Sequence, residues 1–218
     1  MSGNLPRFLR MPCTTDEARA LLKRLFDLGL SLLGLVVLAP LFLIIGSLVF
    51  ICDGRPVLFS QHRVGKSGSK FRLVKFRTMK EPHGSGNGLF EPGNNSRVTS
   101  VGKFLRKTKL DELPQLINVL KGDMSFVGPR PEVEKWTAYY PEKWEKVLTV
   151  KPGITDQASI EFRNEEEILS ESADPESTYL NVILPRKLDL CIEYVDNHTF
   201  RGDLRLILLT IGSIIGIK

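Results

Sequence analysis

The hydrophobic positions of this chain form one long run and several short periodic ones. From Leu28 to Cys52, 25 consecutive residues carry no charge, and most are Leu, Val, Ile or Phe. A helix of that length is enough for the ~30 Å hydrocarbon core of a bilayer. The run is too long for the apolar part of a secretory signal, and no small-residue cleavage pattern follows it. Pro40 falls in its middle, where a missing N–H and the ring's clash favour a kink. Arg7, Arg10, Arg19, Lys23 and Arg24 precede the run, and eight Lys/Arg lie between Arg55 and Lys80. The positive-inside bias therefore sets both ends on the cytoplasmic face. A bent, re-entrant helix broken at Pro40 satisfies both features, and a plain spanning anchor with a proline kink is the alternative.

Beyond it the pattern shortens. Val57 to Met79 predicts two strands joined at Gly65–Gly68, the second carrying Lys70, Arg72, Lys75 and Arg77. Such a strand could line an anion-binding cleft or be a solvated edge. The Gly- and Pro-rich stretch 81–95 predicts a mobile surface loop. A helix is expected from Ser100 to Lys107, delivering Arg106 just ahead of Asp111. Leu113, Leu116, Ile117 and Leu120 mark one buried helical face. Pro114 fits only a first turn, so that helix should start near Asp111, and Lys121-Gly122 should close it. A short MSFV strand and the stiff turn Gly128-Pro129-Arg130-Pro131 follow. Trp136, Tyr139, Tyr140 and Trp144 suit packing or a headgroup interface, packing being preferred. The stretch from Val150 to Arg163 reads as a turn and a strand, Asn164 to Ser177 as acidic and solvated, and Leu180 to Tyr194 as a helix. Leu204 to Ile217 is apolar but too short to span, and predicts a packing or interfacial helix.

Charge changes the picture more than composition does. The 218 residues carry a net +5, yet residues 1–110 sum to +12 and residues 111–218 to −7. A basic half points to anionic partners: membrane lipid, a phosphorylated substrate or nucleic acid. Cys13, Cys52 and Cys191 are scattered, which argues for a reducing compartment and against a zinc site. His62, His83 and His198 have no metal-like spacing. Neither G-x-G-x-x-G nor G-x-x-x-x-G-K-[ST] occurs, so both glycine-rich nucleotide motifs are absent.

The adjacent carboxylates Asp111 and Glu112 are the candidate chemistry. At or beside an N-cap, Asp111 would be kept ionised by the helix N-terminus, as a nucleophile or metal ligand requires. The bland alternative is that Asp111 caps the helix and Glu112 is solvated. Phosphoryl transfer is mostly positioning and charge neutralisation, and a basic cleft beside two carboxylates and a divalent cation would supply both.

Three blocks carry a resemblance: KFRTM (Lys75 to Met79), LDELPQLINVLKGDMSFVGPRP (Leu110 to Pro131) and KPGIT (Lys151 to Thr155). With the preceding proline-broken apolar run, they resemble the bacterial sugar transferases, the monotopic phosphoglycosyl transferases. The resemblance covers roughly residues 20–215. It implies transfer of a sugar 1-phosphate from a UDP-sugar to polyprenyl (undecaprenyl) phosphate, with Mg²⁺, at the cytoplasmic face of the bacterial inner membrane. That is the first membrane step in building a glycoconjugate such as O-antigen, capsule, exopolysaccharide or a protein-linked glycan. Asp111 corresponds to the nucleophile that would form an aspartyl phosphosugar, and Glu112 to the metal-linked carboxylate, with Asp111 beside it. Lys75, Arg106, Arg130 and Arg163 match basic positions around the phosphates, and Arg77 and Pro131, in the same blocks, are counted with them as substrate-binding. Two departures stand out: Ala39 replaces a serine often found before the hairpin proline, and KPGITDQASIEFRN differs from the more usual GITGLAQVNGR. Asp189 aligns with a further acid of some relatives only across a gap.

The expected fold is thus α+β: one small membrane-associated catalytic domain with an N-terminal re-entrant helix hairpin, short strands and several amphipathic helices. Its parts would be a basic segment (1–24), the membrane helix (25–52) and the cytoplasmic domain (53–218). Partners expected are the UDP-sugar, the lipid phosphate and the bilayer, without nucleic acid, and a homodimer is left open. The competing class is a membrane-tethered binding module for anionic lipid or nucleic acid, which would not need the acid pair.

Overall fold

The structure is a computed structural model that describes residues 15–80 and 97–214. The 81–95 loop expectation, together with Arg7, Arg10, Cys13 and His83, lies outside the described residues. Two helices open the chain, α1 (Thr15–Val37) and α2 (Ala39–Asp53), with axes bent by 61°. The break falls at Leu38, two residues before Pro40, which occupies the first turn of α2. There the absent proline N–H costs nothing. Leu38 still donates to the Gly34 carbonyl and Phe42 to the Leu38 carbonyl, so the ladder is interrupted only around the proline.

Among the described residues no single helix is long and apolar enough to cross a membrane; only the bent pair has the length and composition. Both ends of the uncharged run are fastened to the same body of the protein. At the near end Arg24 donates to the Val119 and Leu120 carbonyls (2.7 and 3.0 Å), and Asp27 accepts from the Phe126 N–H. At the far end Thr99 donates to Asp53 (2.8 Å), and the Arg77 guanidinium gathers the carbonyls of Asp53, Gly54 and Arg55. Between these ends Ile45 and Val49 are buried against Phe76 and Leu105, while Leu33, Val36, Val37, Leu43, Ile44 and Ile51 remain largely exposed.

β1 (Leu58–Val64) and β2 (Lys70–Phe76) form the expected antiparallel hairpin, in register from Leu58 opposite Phe76 to Val64 opposite Lys70. The four cations do not share a face. Phe71 and Leu73 turn inward while Lys70 and Arg72 face solvent; alternation then lapses, leaving Lys75 half-buried and Arg77 buried. After α3 (Ser100–Thr108) comes a single 3₁₀ turn, Leu110–Glu112, and only then α4 (Gln115–Lys121). The helix expected to start near Asp111 therefore starts later. Its buried side is also wider than the leucine pattern indicates. Gln115, Asn118 and Val119 are buried with Leu116, whereas Ile117 is only half-buried. Asn118 is buried because its side chain bridges α4 to β2, donating to the Arg72 carbonyl and accepting from the Val74 N–H.

β3 (Ser125–Val127) then pairs in parallel with β4 (Gly153–Thr155), across α5 (Glu134–Thr137) and α6 (Pro141–Val147). Gly128 and Gly153 let the two chains touch: a Cβ on Gly153 would lie 2.2 Å from the Gly128 nitrogen. The chain continues through α7 (Gln157–Glu161), α8 (Glu165–Ser170), α9 (Pro175–Thr178), a wide turn at Tyr179–Ile183, α10 (Leu184–Asn197) and α11 (Phe200–Ile214). Trp136, Trp144, Tyr179, Ile183, Leu184 and Leu188 build the largest core cluster, so both tryptophans are packing residues, while Tyr139 is exposed. The 164–177 stretch is mostly exposed, as its charge suggests. It folds into α8 and α9, buries Leu169 and pairs Glu165 with Lys187. The molecule is α+β and mostly helical, with few, short strands.

Candidate active site

The acid pair is delivered by a corner. Lys109 closes α3 in the left-handed region (φ 58°), an uncommon conformation for a side-chain-bearing residue. The turn that follows lays Leu110–Glu112 against β2 and buries both carboxylates, Asp111 to 6% and Glu112 to 8% exposure. The reading of Glu112 as a solvated first-turn residue is thereby overturned.

Glu112 is gripped by two cations. Lys75 Nζ lies 2.9 Å from Oε1, and the Arg130 guanidinium is bidentate, with one nitrogen 3.2 Å from Oε2 and the other on Oε1. Burial alone would raise Glu112, but Arg130 first and Lys75 next hold it well below the usual carboxylate range. The same contact raises Arg130 further, so the pair is ionised throughout the physiological range. Lys75 is drawn down by burial, against the pull of Glu112.

Asp111 is shifted the opposite way. Burial and the neighbouring Glu112 charge push it up, and Lys75, Lys109 and Arg106 only partly offset them. It sits in a 3₁₀ turn and not at the N-terminus of α4, so the helix end expected to keep it ionised is not there. Its Oδ1 is buried and has no hydrogen-bond partner. A buried carboxylate oxygen without a donor costs free energy unless a cation or a reacting group meets it. Mg²⁺ takes one or two carboxylates and keeps room for water and phosphate oxygens, which suits this pair. Asp111 is the better placed of the two, since both Glu112 oxygens already face cations. No group of three or more His, Cys, Asp or Glu side chains with metal-site spacing occurs among the described residues.

The structure thus brings Asp111, Glu112, Lys75 and Arg130 together, with Arg106 nearby. Arg106 donates to the Thr78 hydroxyl (3.0 Å) and pairs with Glu166 on α8 (2.8 Å). The other basic candidates are occupied by backbone. Arg77 donates through both terminal nitrogens to the three carbonyls after α2, and Arg163 donates to the Ser213 carbonyl on α11. Pro131 contributes a carbonyl to Arg63 (3.3 Å). Pro40 is about the hairpin and not the site.

Two groups of residues escaped the sequence. Behind the Gly-Pro-Arg-Pro turn, buried Glu132 accepts from Tyr179 (2.7 Å) and pairs with Arg63 and Lys187, and Lys187 also meets Glu165. Lys187 and Arg63 have no sequence signal, because only the fold brings them to Glu132. Asp156 caps α7 and also accepts from the Arg130 N–H. The D-x-x-S spacing is a cap signal that the strand reading of this stretch passed over, and it carries no sign of the second partner.

Residues 18–216 match the family described as bacterial sugar transferase. An uncharacterised sugar transferase of Bacillus subtilis, EpsL, is 38% identical over 195 residues, covering 89% of this chain and 88% of that protein. The exopolysaccharide production protein ExoY of Sinorhizobium fredii is 34% identical over 207 residues, covering 88% and 84%. The UDP-glucose:undecaprenyl-phosphate glucose-1-phosphate transferase of Escherichia coli is 35% identical over 195 residues; these are 88% of this chain but 39% of that longer protein. Match and geometry agree, because the buried acid pair and its two cations all lie inside the matched span: the chain belongs to the bacterial sugar transferase family.

Proposed function

We propose that the protein transfers a sugar 1-phosphate from a UDP-sugar to polyprenyl phosphate, undecaprenyl phosphate in bacteria, and releases UMP. The observation that carries this is the division of labour in the acid pair. Glu112 is locked by Lys75 and Arg130, while Asp111 presents a buried oxygen with no partner. The names of relatives support the acceptor and the reaction class. They carry different sugars, glucose in one and N-acetylgalactosamine in another, so no single sugar follows from them.

In the proposed reaction an Asp111 carboxylate oxygen attacks the phosphorus that bears the sugar. A P–O bond forms to Asp111, the P–O bond to UMP breaks, and UMP leaves with the bonding electrons. The polyprenyl phosphate oxygen then attacks the same phosphorus, the Asp111–phosphorus bond breaks, and the carboxylate is restored. This splits one difficult transfer into two displacements, each needing one substrate beside Asp111. Arg130 and Lys75, neutralised by Glu112 at rest, can share their donors with phosphate oxygens as charge builds. Mg²⁺, held by Asp111 with Glu112 behind it, would supply further charge neutralisation at the phosphates. The site would work at the cytoplasmic face of the membrane, with the α1–α2 pair carrying the lipid-facing surface. The supporting geometry is the exposed apolar residues of that pair, next to ends fastened to one body.

The test is an assay without acceptor. Enzyme with UDP-sugar and Mg²⁺ but no lipid should release up to about one equivalent of UMP, and its intact mass should rise by one sugar phosphate. Asp111→Asn should abolish both. UMP that appears only with lipid phosphate present, with no adduct trapped, would leave Asp111 a metal ligand alone and make the transfer direct.

A further inference from the structure

Arg130 is held at two points, and only one of them is the site. Its guanidinium lies on Glu112, while its main-chain N–H donates to Asp156 Oδ2 at 3.0 Å. Pro129 and Pro131 on either side have no N–H to give, so this is the one main-chain donor of the Pro-Arg-Pro step. The β3–β4 ladder explains why a side chain receives it. Gly128 donates to the Thr155 carbonyl (3.1 Å) and Gly153 to the Pro129 carbonyl (3.0 Å), but after Thr155 the chain turns into α7. No strand carbonyl continues opposite Arg130, and the Asp156 carboxylate takes its place.

Asp156 is itself fixed on every side. It is 2% exposed, its Oδ1 accepts from the Ser159 N–H at 2.6 Å, and Cys191 Sγ on α10 lies 3.6 Å from Oδ2. Burial, and then the Asp156 charge, push the Cys191 thiol well above its usual range, so it remains a protonated donor. Capping α7 needs only one oxygen, and a serine or asparagine could provide it. The second oxygen and the negative charge are spent on Arg130, whose raised pKa Asp156 also supports.

We infer that Asp156 is a positioning residue: its carboxylate fixes the Arg130 main chain and so sets the guanidinium against Glu112 for phosphate. This rests on the phosphosugar transfer proposed above, and the experiment separates the two. Asp156→Asn is nearly isosteric and keeps an oxygen for the cap, but it cannot serve both donors. Asp156→Ser keeps the cap and is too short for Arg130. Both variants of the full chain are measured for thermal midpoint, UMP release with UDP-sugar and undecaprenyl phosphate, and hydrogen exchange in the peptide 128–132.

The expected result is a folded protein with a midpoint lower by a few degrees, faster exchange at the Arg130 amide, and kcat lower by about tenfold or more, the worth of one charge-assisted hydrogen bond. In an Arg130→Lys background the same Asp156 changes should cost less than about threefold, because residues acting through one group are not additive. Equal losses in both backgrounds would make Asp156 a structural cap and overturn the inference. Unchanged exchange at Arg130 in Asp156→Asn would do the same, whatever the activity. Should Asp156→Ser fail to fold, Asp156→Asn decides alone. Absence of UMP release by the wild type, with the Arg130 amide protected, would reject the transfer reaction and leave the clamp standing.

Discussion

Glu112 and Arg130 form the tightest charge pair of the site, and the guanidinium shape is what makes it so. Arg130 reaches both Glu112 oxygens, and Lys75 adds a third donor on Oε1. A lysine at position 130 could supply one point charge but not the fork. Arg130→Lys should therefore lose a charge-assisted hydrogen bond of about 1.5–3 kcal/mol, and turnover should fall roughly ten- to a hundredfold. The thermal midpoint should fall by a few degrees while the protein stays folded and membrane-bound. Near-normal turnover in that variant would show Arg130 to be a turn residue only. At this scale the sequence was informative about identity and silent about state. Asp111, Glu112, Lys75 and Arg130 were all legible as candidates. That one acid is ionised and saturated while its neighbour is pushed toward neutrality was not, because burial and three-dimensional partners set those states. Arg77 and Arg163 show the converse: a candidate cation can be engaged by main-chain carbonyls.

α3 is the element that aims the site, and a glycine sets its depth. Thr99 caps it by accepting from the Gly102 N–H at 2.9 Å, and Gly102 faces Thr78 so closely that a Cβ would lie 2.1 Å from the Thr78 carbonyl oxygen. Backbone on both sides cannot give way as a side-chain tip can. Gly102→Ala should push α3 off the end of β2 and with it Arg106, whose Nε bonds Thr78. The expected cost is about 1–3 kcal/mol in unfolding experiments. Gly29→Ala, with nothing within 4 Å of the new Cβ, should be neutral or slightly stabilising. An unchanged midpoint in Gly102→Ala would show that α3 accommodates a Cβ against Thr78 without cost. The β1–β2 hairpin, α3 and α10 were legible because alternation, caps and helical periodicity there are local. The start of α4 was not. Pro114 stands at the N-cap of α4, one position before the first turn it was expected to occupy, and the residues before it form a 3₁₀ turn after Lys109 turns the chain sharply. The 164–177 stretch is mostly exposed, as its charge indicates, but its two short helices and the pairing of its acids with Lys187 and Arg106 arise only in the folded protein.

For the whole molecule, the question is where the uncharged run goes. The α2 arm, 15 residues long, extends about 22 Å at 1.5 Å per residue, short of the ~30 Å hydrocarbon core. The stretch of α1 from Leu28 onward is shorter still, so neither arm reaches across alone. The two ends of the run are tied to one body, Arg24 and Asp27 to α4 and β3, Asp53 to α3. A spanning helix would have to set these ends on opposite faces and break one set of ties. The basic flanks argue in the same direction. In a chain with Cys13 and Cys52 replaced by serine, Glu17→Cys and Ser67→Cys, both at exposed positions, should therefore be labelled by an impermeant maleimide only from the cytoplasmic side. Labelling of Glu17→Cys from the outside of spheroplasts would show that the run crosses, and the re-entrant reading fails. Pro40→Leu sharpens the test. It restores an N–H that can donate to the Val36 carbonyl, which should straighten the pair and move a fraction of molecules to outside labelling at position 17. Those molecules would have to give up either the Arg24 contacts with α4 or the Asp53 contact with α3. Their loss of UMP release should track the outside-labelled fraction, because α3 and α4 flank the turn that holds Asp111.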